Sequence, residues 1–523
     1  MERKSKINST KNISNNEIVY HELIKHSRQL RSRFFIDQHR PAYHFVIPEG
    51  LAMSFDPNGL IFWKGRYHMF YIFQDPNLPR DGNCWGHVSS IDLVHWVHHP
   101  TALVATSESP EEEIWSGAGL INKDGVPTLV YYGYDVGICI ATSVDDELNH
   151  WIKSPHNPII PKPQKESPEY EVYNIHDPHV WLEGETYYLI TGWKNVSNDK
   201  YSTKYLFKSN DLVNWKYIHP FYVPNPEWID LDEDCSCPDF FQIGDRYMLL
   251  FVSHTRGTQY YLGLYGNETF YPEEHGRMNW PGGPCFAPET WLDDHGRRIM
   301  IAWACEQRLR KEHEACGWAG VMTIPRMLSL ADDGSLRIGP VEELKKLRYN
   351  YRNYNTMRVS SGSDIRLQGI RGDQMELFLE ILPEDTEEFG LKVRCSPDDE
   401  EQTVIVYSNN TKILYIDTSR SSLSHMVMNP FPYPYASFLV DPLESSKDIR
   451  LQKAPFKLYS GESLKLHVFI DHSIVEVYAN ERQCLTQRIY PTRNDSQEVV
   501  IFSRNGNITV KSFEVWDLYA INL

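Results

Sequence analysis

Five short stretches of the chain hold the residue types that could do acid–base or nucleophilic chemistry. They are "SFDPNG" with Asp56, "IWSGAG" with Ser116, "NIHDPHVW" with Asp177, "DLDEDCSCPDFF" with its acidic run from Asp230 to Asp239, and "CFAPETW" with Glu289. Each precedes a glycine in a polar turn: Gly65, Gly125, Gly184, Gly244 and Gly296. Asp56 and Ser116 lie nine residues before their glycines, and Asp177 and Glu289 lie seven before theirs. Carboxylates that recur in phase are aimed at one place, where like charges repel and raise each other's pKa. Such a cluster costs stability and is more often functional than structural. There is no accompanying set of metal-ligating histidines, while Trp63, Trp85, Trp115, Trp181 and Trp303 lie close by in sequence. That combination suits glycoside chemistry. One ionised carboxylate would face the anomeric carbon, one protonated carboxyl would face the leaving oxygen, and a third would grip vicinal hydroxyls. No metal or other cofactor is required.

The same glycines reveal the elements that must position these groups. Each opens an apolar, aromatic segment, and successive intervals are 60, 59, 60 and 52 residues. A second marker, a polar turn ending in an aromatic, follows at Trp96, Trp151, Trp215 and Phe270, which lie 31, 26, 31 and 26 residues after their glycines. Two markers in phase predict a repeated four-stranded sheet. Such sheets stacked radially bury faces that no single one could bury. The expected fold is therefore all-β: a five-bladed β-propeller over residues 41–335, with its first strands lining a central channel. Residues 336–355 read as a linker. Residues 356–523 alternate apolar and polar positions and read as a β-sandwich. Residues 1–40 form a polar N-terminal extension.

The bulk properties narrow the partners. A net charge of −18 argues against nucleic acid, which needs a basic stripe. The N-terminal stretch has no apolar core of a signal peptide, and nowhere do about 18 apolar residues run together. A cytoplasmic protein with no membrane partner is expected. The nine cysteines are scattered and odd in number. The C-x-C pair Cys235 and Cys237 lacks the second pair that a structural zinc site needs. Free thiols are expected.

At "SFDPNGL", "HDPHVW", "CPDFF" and "FAPETWLDDHGRRIMIAW" the sequence resembles glycoside hydrolase family 32, the β-fructofuranosidases. "WGHVSSIDLVHWVHHPTAL" and "LHVFIDHSIVEVYANERQCLTQRIYP" are similar to that family as well. The resemblance spans about residues 45–520. It implies a propeller followed by a sandwich, a retaining double displacement, and a sugar substrate such as sucrose or a short fructo-oligosaccharide. It implies Asp56 as nucleophile and Asp177 as the stabiliser that binds sugar hydroxyls. The family's acid/base is a Glu directly before "CPD", and here that place holds Ser236. Phe55, Ile72, His176 and Glu289 also depart from the family's pattern, so the pocket differs in detail. Glu233 is the leading candidate for the displaced acid, since a bulge could carry it into the channel. Glu289 is second, and Asp234 and Asp239 stay open. Asn58, Trp85, Trp115, Ser116, His176, Asp239, Glu289 and Trp303 make up the expected sugar-binding set. Three alternatives remain: a fructosyltransferase, a propeller glycosidase acting on another furanoside, and a sugar-binding protein without activity, for which Ser236 would be the mark. A homo-oligomer through the sandwich is compatible with the sequence.

Overall fold

The computed structural model describes residues 37–47, 54–78, 80–192, 201, 203–231, 233–433 and 446–521. Five antiparallel sheets follow one another along the chain, spanning Ser54–His98, Ile114–Pro161, His179–Pro220, Ser236–Arg277 and Cys285–Pro340. The innermost strands are Ser54–Trp63, Ile114–Ile121, His179–Glu183, Ser236–Ile243 and Cys285–Leu292. Each packs on the next and the last packs on the first, so the ring is closed.

Both sequence markers have physical causes. All five turn glycines join an inner strand to the second strand of its sheet, at φ between 59° and 75°. That left-handed conformation costs glycine nothing and any other residue some strain. Before the three tryptophans, the second marker is an aspartate-capped turn. Asp92, Asp145 and Asp211 each accept backbone N–H bonds from residues two to four positions on. A leucine follows in each turn with φ near 60°: Leu93, Leu148 and Leu212. Trp151 and Trp215 then donate from Nε1 to the carbonyls of Leu148 and Leu212 at 2.9 and 3.0 Å. The aspartates of this marker are therefore turn caps.

The apolar cores lie between neighbouring sheets. Val180, Tyr187 and Leu189 of the third sheet pack on Val130, Ile138 and Ile140 of the second. Ile190 and Leu206 pack on Phe240, Leu249 and Phe251 of the fourth. Just before the first sheet, Phe45 and Ile47 hydrogen-bond to Met322 and Gly320 of the fifth, which ties the seam of the ring.

The C-terminal part packs a seven-stranded sheet on a six-stranded one around a continuous aliphatic core. The expected linker is shorter than 336–355. Leu336–Pro340 is the outermost strand of the fifth sheet, and Arg348–Tyr354 already belongs to the sandwich. Only the 3-10 turn Glu342–Leu347 lies between them, with Leu344 and Leu347 buried. The extension also ends earlier than residue 40. Asp37 accepts from Trp318 Nε1 and pairs with Arg308, while residues 1–36 lie outside the described residues. No helix among the described residues is long and apolar enough to cross a membrane.

Candidate active site

Four of the five inner strands carry an irregularity at the same level. Register shifts fall between Phe55 and Pro57, Ile114 and Gly117, Ser236 and Asp239, and Phe286 and Glu289. The remaining inner strand, the third along the chain, begins at His179, directly after Asp177-Pro178. A bulge turns the extra residue out of the ladder and re-aims its side chain. Asp56, Ser116 and Cys237 each sit in such a bulge, and Cys237 has φ 43°.

Cys237 is the point where the two aspartates meet. Its backbone N–H donates to Asp177 Oδ2 at 3.0 Å. Its Sγ lies 3.5 Å from Asp177 Oδ2 and 3.5 Å from Asp56 Oδ2. Ser116 Oγ donates to Asp56 Oδ2 at 2.7 Å. Burial and the Asp177 charge push the Asp56 carboxyl up, and the Ser116 and Cys237 contacts restrain it. Burial opposes the charge of Asp177 too, but His176 Nδ1 at 3.0 Å and the buried Lys204 outweigh it and hold this carboxyl well below the usual range. Asp177 Oδ1 is buried and has no protein partner among the described residues. One carboxyl is thus pushed up, and the other is held as an anion with one buried oxygen that has no partner among the described residues.

Other expected site residues divide by burial. Trp115 is half-buried, donates to Glu113 Oε2 at 3.0 Å, stacks on Tyr134, and meets the edge of His176. His176 in turn stacks on Tyr132, which makes an aromatic rim beside Asp177. Trp303 is buried edge-on to Phe286. Asn58 and Trp85 are corrections to the sugar-binding set. Asn58 is 1% exposed, and its amide links the Asp56 carbonyl to the Gly117 N–H. Trp85 is 0% exposed and donates to the Trp115 carbonyl. Both shape the backbone under the site. Asp239 is buried, accepts from Thr290 Oγ1 at 2.6 Å and faces His179 Nδ1 at 3.6 Å. Glu289 lies near the backbone N–H groups of Gly59 and Leu60, beyond Asp56 toward the hairpin end of the strand, and its buried Oε2 has no partner among the described residues. Burial, then the Asp239 charge, pushes its carboxyl far up.

Glu233 is the main correction. Its carboxylate receives Arg277 Nη1 and Nη2 at 3.0 Å each, Gln259 Nε2 at 2.8 Å and Arg256 Nε at 3.3 Å. The side chain is 1% exposed. Burial alone would raise its pKa, but Arg277 and Gln259 outweigh it and hold it down. A carboxylate kept anionic by a bidentate arginine is not a proton donor. Asp232 lies outside the described residues.

Sequence reasoning kept Asp234 open but missed its partner, His254. Asp234 Oδ2 meets His254 Nδ1 at 2.6 Å and accepts from Ser236 Oγ at 2.7 Å, and Asp234 Oδ1 accepts from the His254 backbone N–H at 2.8 Å. Burial works against an imidazolium at 254, but Asp234, then Asp177 and Asp56, carry its pKa up to about 9. The hairpin register held the clue. Ser236 pairs with Val252, and continuing that pairing outward sets Asp234 opposite His254.

Comparison with known proteins bears on this arrangement. The N-terminal domain model of glycosyl hydrolases family 32 matches residues 44–340, and the family's C-terminal model matches residues 343–517. The chain belongs to glycosyl hydrolase family 32. Among its relatives, a sucrose-6-phosphate hydrolase from Zymomonas mobilis is 27% identical over 96% of this chain and 98% of the relative. A fructan 6-exohydrolase from Triticum aestivum is 27% identical over 92% of this chain and 90% of its own. The crystal structure of fructan 1-exohydrolase IIa from Cichorium intybus shares the fold, with a TM-score of 0.79, 24% identity, and coverage of 92% of this chain and 98% of that one.

Proposed function

We propose that the protein hydrolyses terminal β-D-fructofuranosyl units of sucrose or short fructo-oligosaccharides by retaining double displacement. The reaction centre lies in the propeller, whose sheets span Ser54–Pro340, with the sandwich from Arg348 on as its support. Asp56 attacks C2 of the fructosyl unit, and Asp177 binds its hydroxyls through the open oxygen. The observation that carries this reading is the convergence of Asp56 and Asp177 on Cys237, with one carboxyl pushed up and the other held anionic. Relatives named as sucrose-6-phosphate hydrolase and fructan exohydrolase support the substrate class.

Fructose release from sucrose and from 1-kestose by the purified protein tests it. The wild type is expected to release fructose from at least one of them, and Asp56→Asn to lose at least about 10³-fold in kcat, since the covalent intermediate cannot form. Ser236 favours one second reading, a sugar-binding protein without activity. Saturable sucrose binding with no fructose released by the wild type would establish that instead.

A further inference from the structure

Position 236 cannot supply the proton. A serine hydroxyl is too weak an acid at neutral pH, and Ser236 Oγ already donates to Asp234. Glu233 is locked to Arg277. Yet departure of a sugar or alkoxide needs a proton on its oxygen. Glu289 carries a raised carboxyl but lies beyond Asp56, toward the hairpin end of the first inner strand, whereas the histidine held by Asp234 stands beside position 236 itself.

We infer that His254, oriented by Asp234, is the acid/base of this site, taking the place of the absent glutamate; this rests on the fructosidase reading above. Asp234 is 5% exposed and all its contacts serve the same end. Ser236 Oγ, the His254 backbone N–H and His254 Nδ1 fill its two oxygens. The Nδ1 proton is thereby fixed on the Asp234 side, and Nε2 is the nitrogen that carries the transferable proton. The His254 side chain is 22% exposed, where Glu233 is 1% exposed. The ring is thus partly open to solvent, which the Glu233 carboxylate is not. It also stands by the reacting groups: Ser236, which shares Asp234 with it, is followed by Cys237, which touches both Asp56 and Asp177. The carboxylates whose charge acts on the ring are Asp234, Asp177 and Asp56. They keep an imidazolium charged at neutral pH.

The chemistry balances. In the first step an Asp56 oxygen bonds to C2 as the C2–O bond to the leaving group breaks. The electron pair goes to the leaving oxygen, which takes the Nε2 proton. One of the three anions around the ring is now an ester, and the ring is a neutral base. In the second step water attacks C2, its proton passes to Nε2, and Asp56 leaves as carboxylate.

The test compares sucrose with β-D-fructofuranosyl fluoride, whose leaving group needs no proton, using the full chain. His254→Gln is expected to lose about 10²–10⁴-fold in kcat/KM on sucrose. On the fluoride its loss is expected to stay under about tenfold, which also shows that the variant folds. Azide, which needs no base, should raise its turnover of the fluoride and give fructosyl azide. Asp234→Asn, a change at a positioning residue, should move the basic limb of kcat/KM on sucrose to lower pH, because the imidazolium loses its nearest anion. Equal loss on both substrates in His254→Gln, or no loss, overturns the assignment. So does a leaving-group-dependent loss that appears in Glu233→Gln or Glu289→Gln instead. A wild type inactive on both substrates sinks the fructosidase reading and this assignment with it, whereas an active wild type with an indifferent His254→Gln sinks this assignment alone.

Discussion

At the residue scale the site is a set of hydrogen bonds that tune two like charges placed close together. Ser116 makes the clearest case. Its hydroxyl donates to the Asp56 oxygen that Cys237 also approaches, and it opposes the upward push of burial and Asp177. Removing it should leave the nucleophile present but less acidic. Ser116→Ala is therefore expected to lower kcat about tenfold, the size of one hydrogen bond of about 1.4 kcal/mol. The acid limb of kcat/KM on sucrose should move to higher pH. An unmoved limb would mean that this bond only packs the site. Asp56, Asp177 and Ser116 were legible in the sequence because their motifs stand in phase with the glycine turns. Glu233 misled because its partners are remote. Gln259 and Arg277 lie on later strands of the same sheet, and no local pattern reports that a carboxylate three residues from the expected place will be neutralised there. His254 was hidden for the opposite reason: its ring reaches the site only through the pairing of two strands.

At the element scale the repeat was readable and the bulges were not. Turn glycines and capping aspartates obey local backbone rules, so they leave a mark in any sequence that needs them. A bulge adds one residue to an inner strand without changing its composition, and the apolar pattern passes over it. The consequence falls on Asn58. It looks like a polar residue beside a catalytic aspartate and hence like a sugar ligand. Instead its Nδ2 holds the Asp56 carbonyl at 2.7 Å, and its Oδ1 accepts the Gly117 N–H at 2.9 Å, pinning the first inner strand to the second. Asn58→Ala would leave the partly buried Gly117 N–H and Asp56 carbonyl without this partner. The expected cost is about 2–3 kcal/mol of folding stability. Unlike Ser116→Ala, it should also lower kcat on every substrate alike, because the bulge that aims Asp56 loses its register. Urea unfolding and fructose-release kinetics on the same variant check both. A stable variant with a raised KM and normal kcat would return Asn58 to the role of sugar ligand.

At the scale of the whole molecule the sandwich holds the seam of the propeller. Asp471 accepts the backbone N–H groups of Ala42, Tyr43 and His44, the segment that leads into the closure at Phe45 and Ile47. On the other side of the seam, Glu476 pairs with Arg326 at 2.9 Å and accepts the Ile324 N–H at 3.0 Å, and Glu476 and Arg326 are both 0% exposed. Two sandwich carboxylates thus grip both ends of the ring. Apolar alternation announced the sandwich, but the clamp could not be read from it, because a buried charge is defined by its partner across the interface. Burial alone would raise the pKa of Glu476; Arg326 and His44 outweigh it and bring it down to about 2. A depressed carboxyl contributes stability that is fully present above its unfolded value of about 4.5 and is lost as pH falls through about 2. Glu476→Gln leaves Arg326 buried without its anion and should cost about 3–5 kcal/mol at pH 7. The gap in unfolding free energy between wild type and variant should be largest near pH 5, shrink as pH rises and His44 loses the proton that Glu476 helps it hold, and close between about pH 4.5 and pH 2. Because the clamp sits on the seam, near-ultraviolet signal and fructose release should fall together in one thermal transition, at a lower temperature in the variant. A gap that widens below about pH 4.5, or a sandwich that melts while the propeller still turns over sucrose, would show that the seam closes without the clamp.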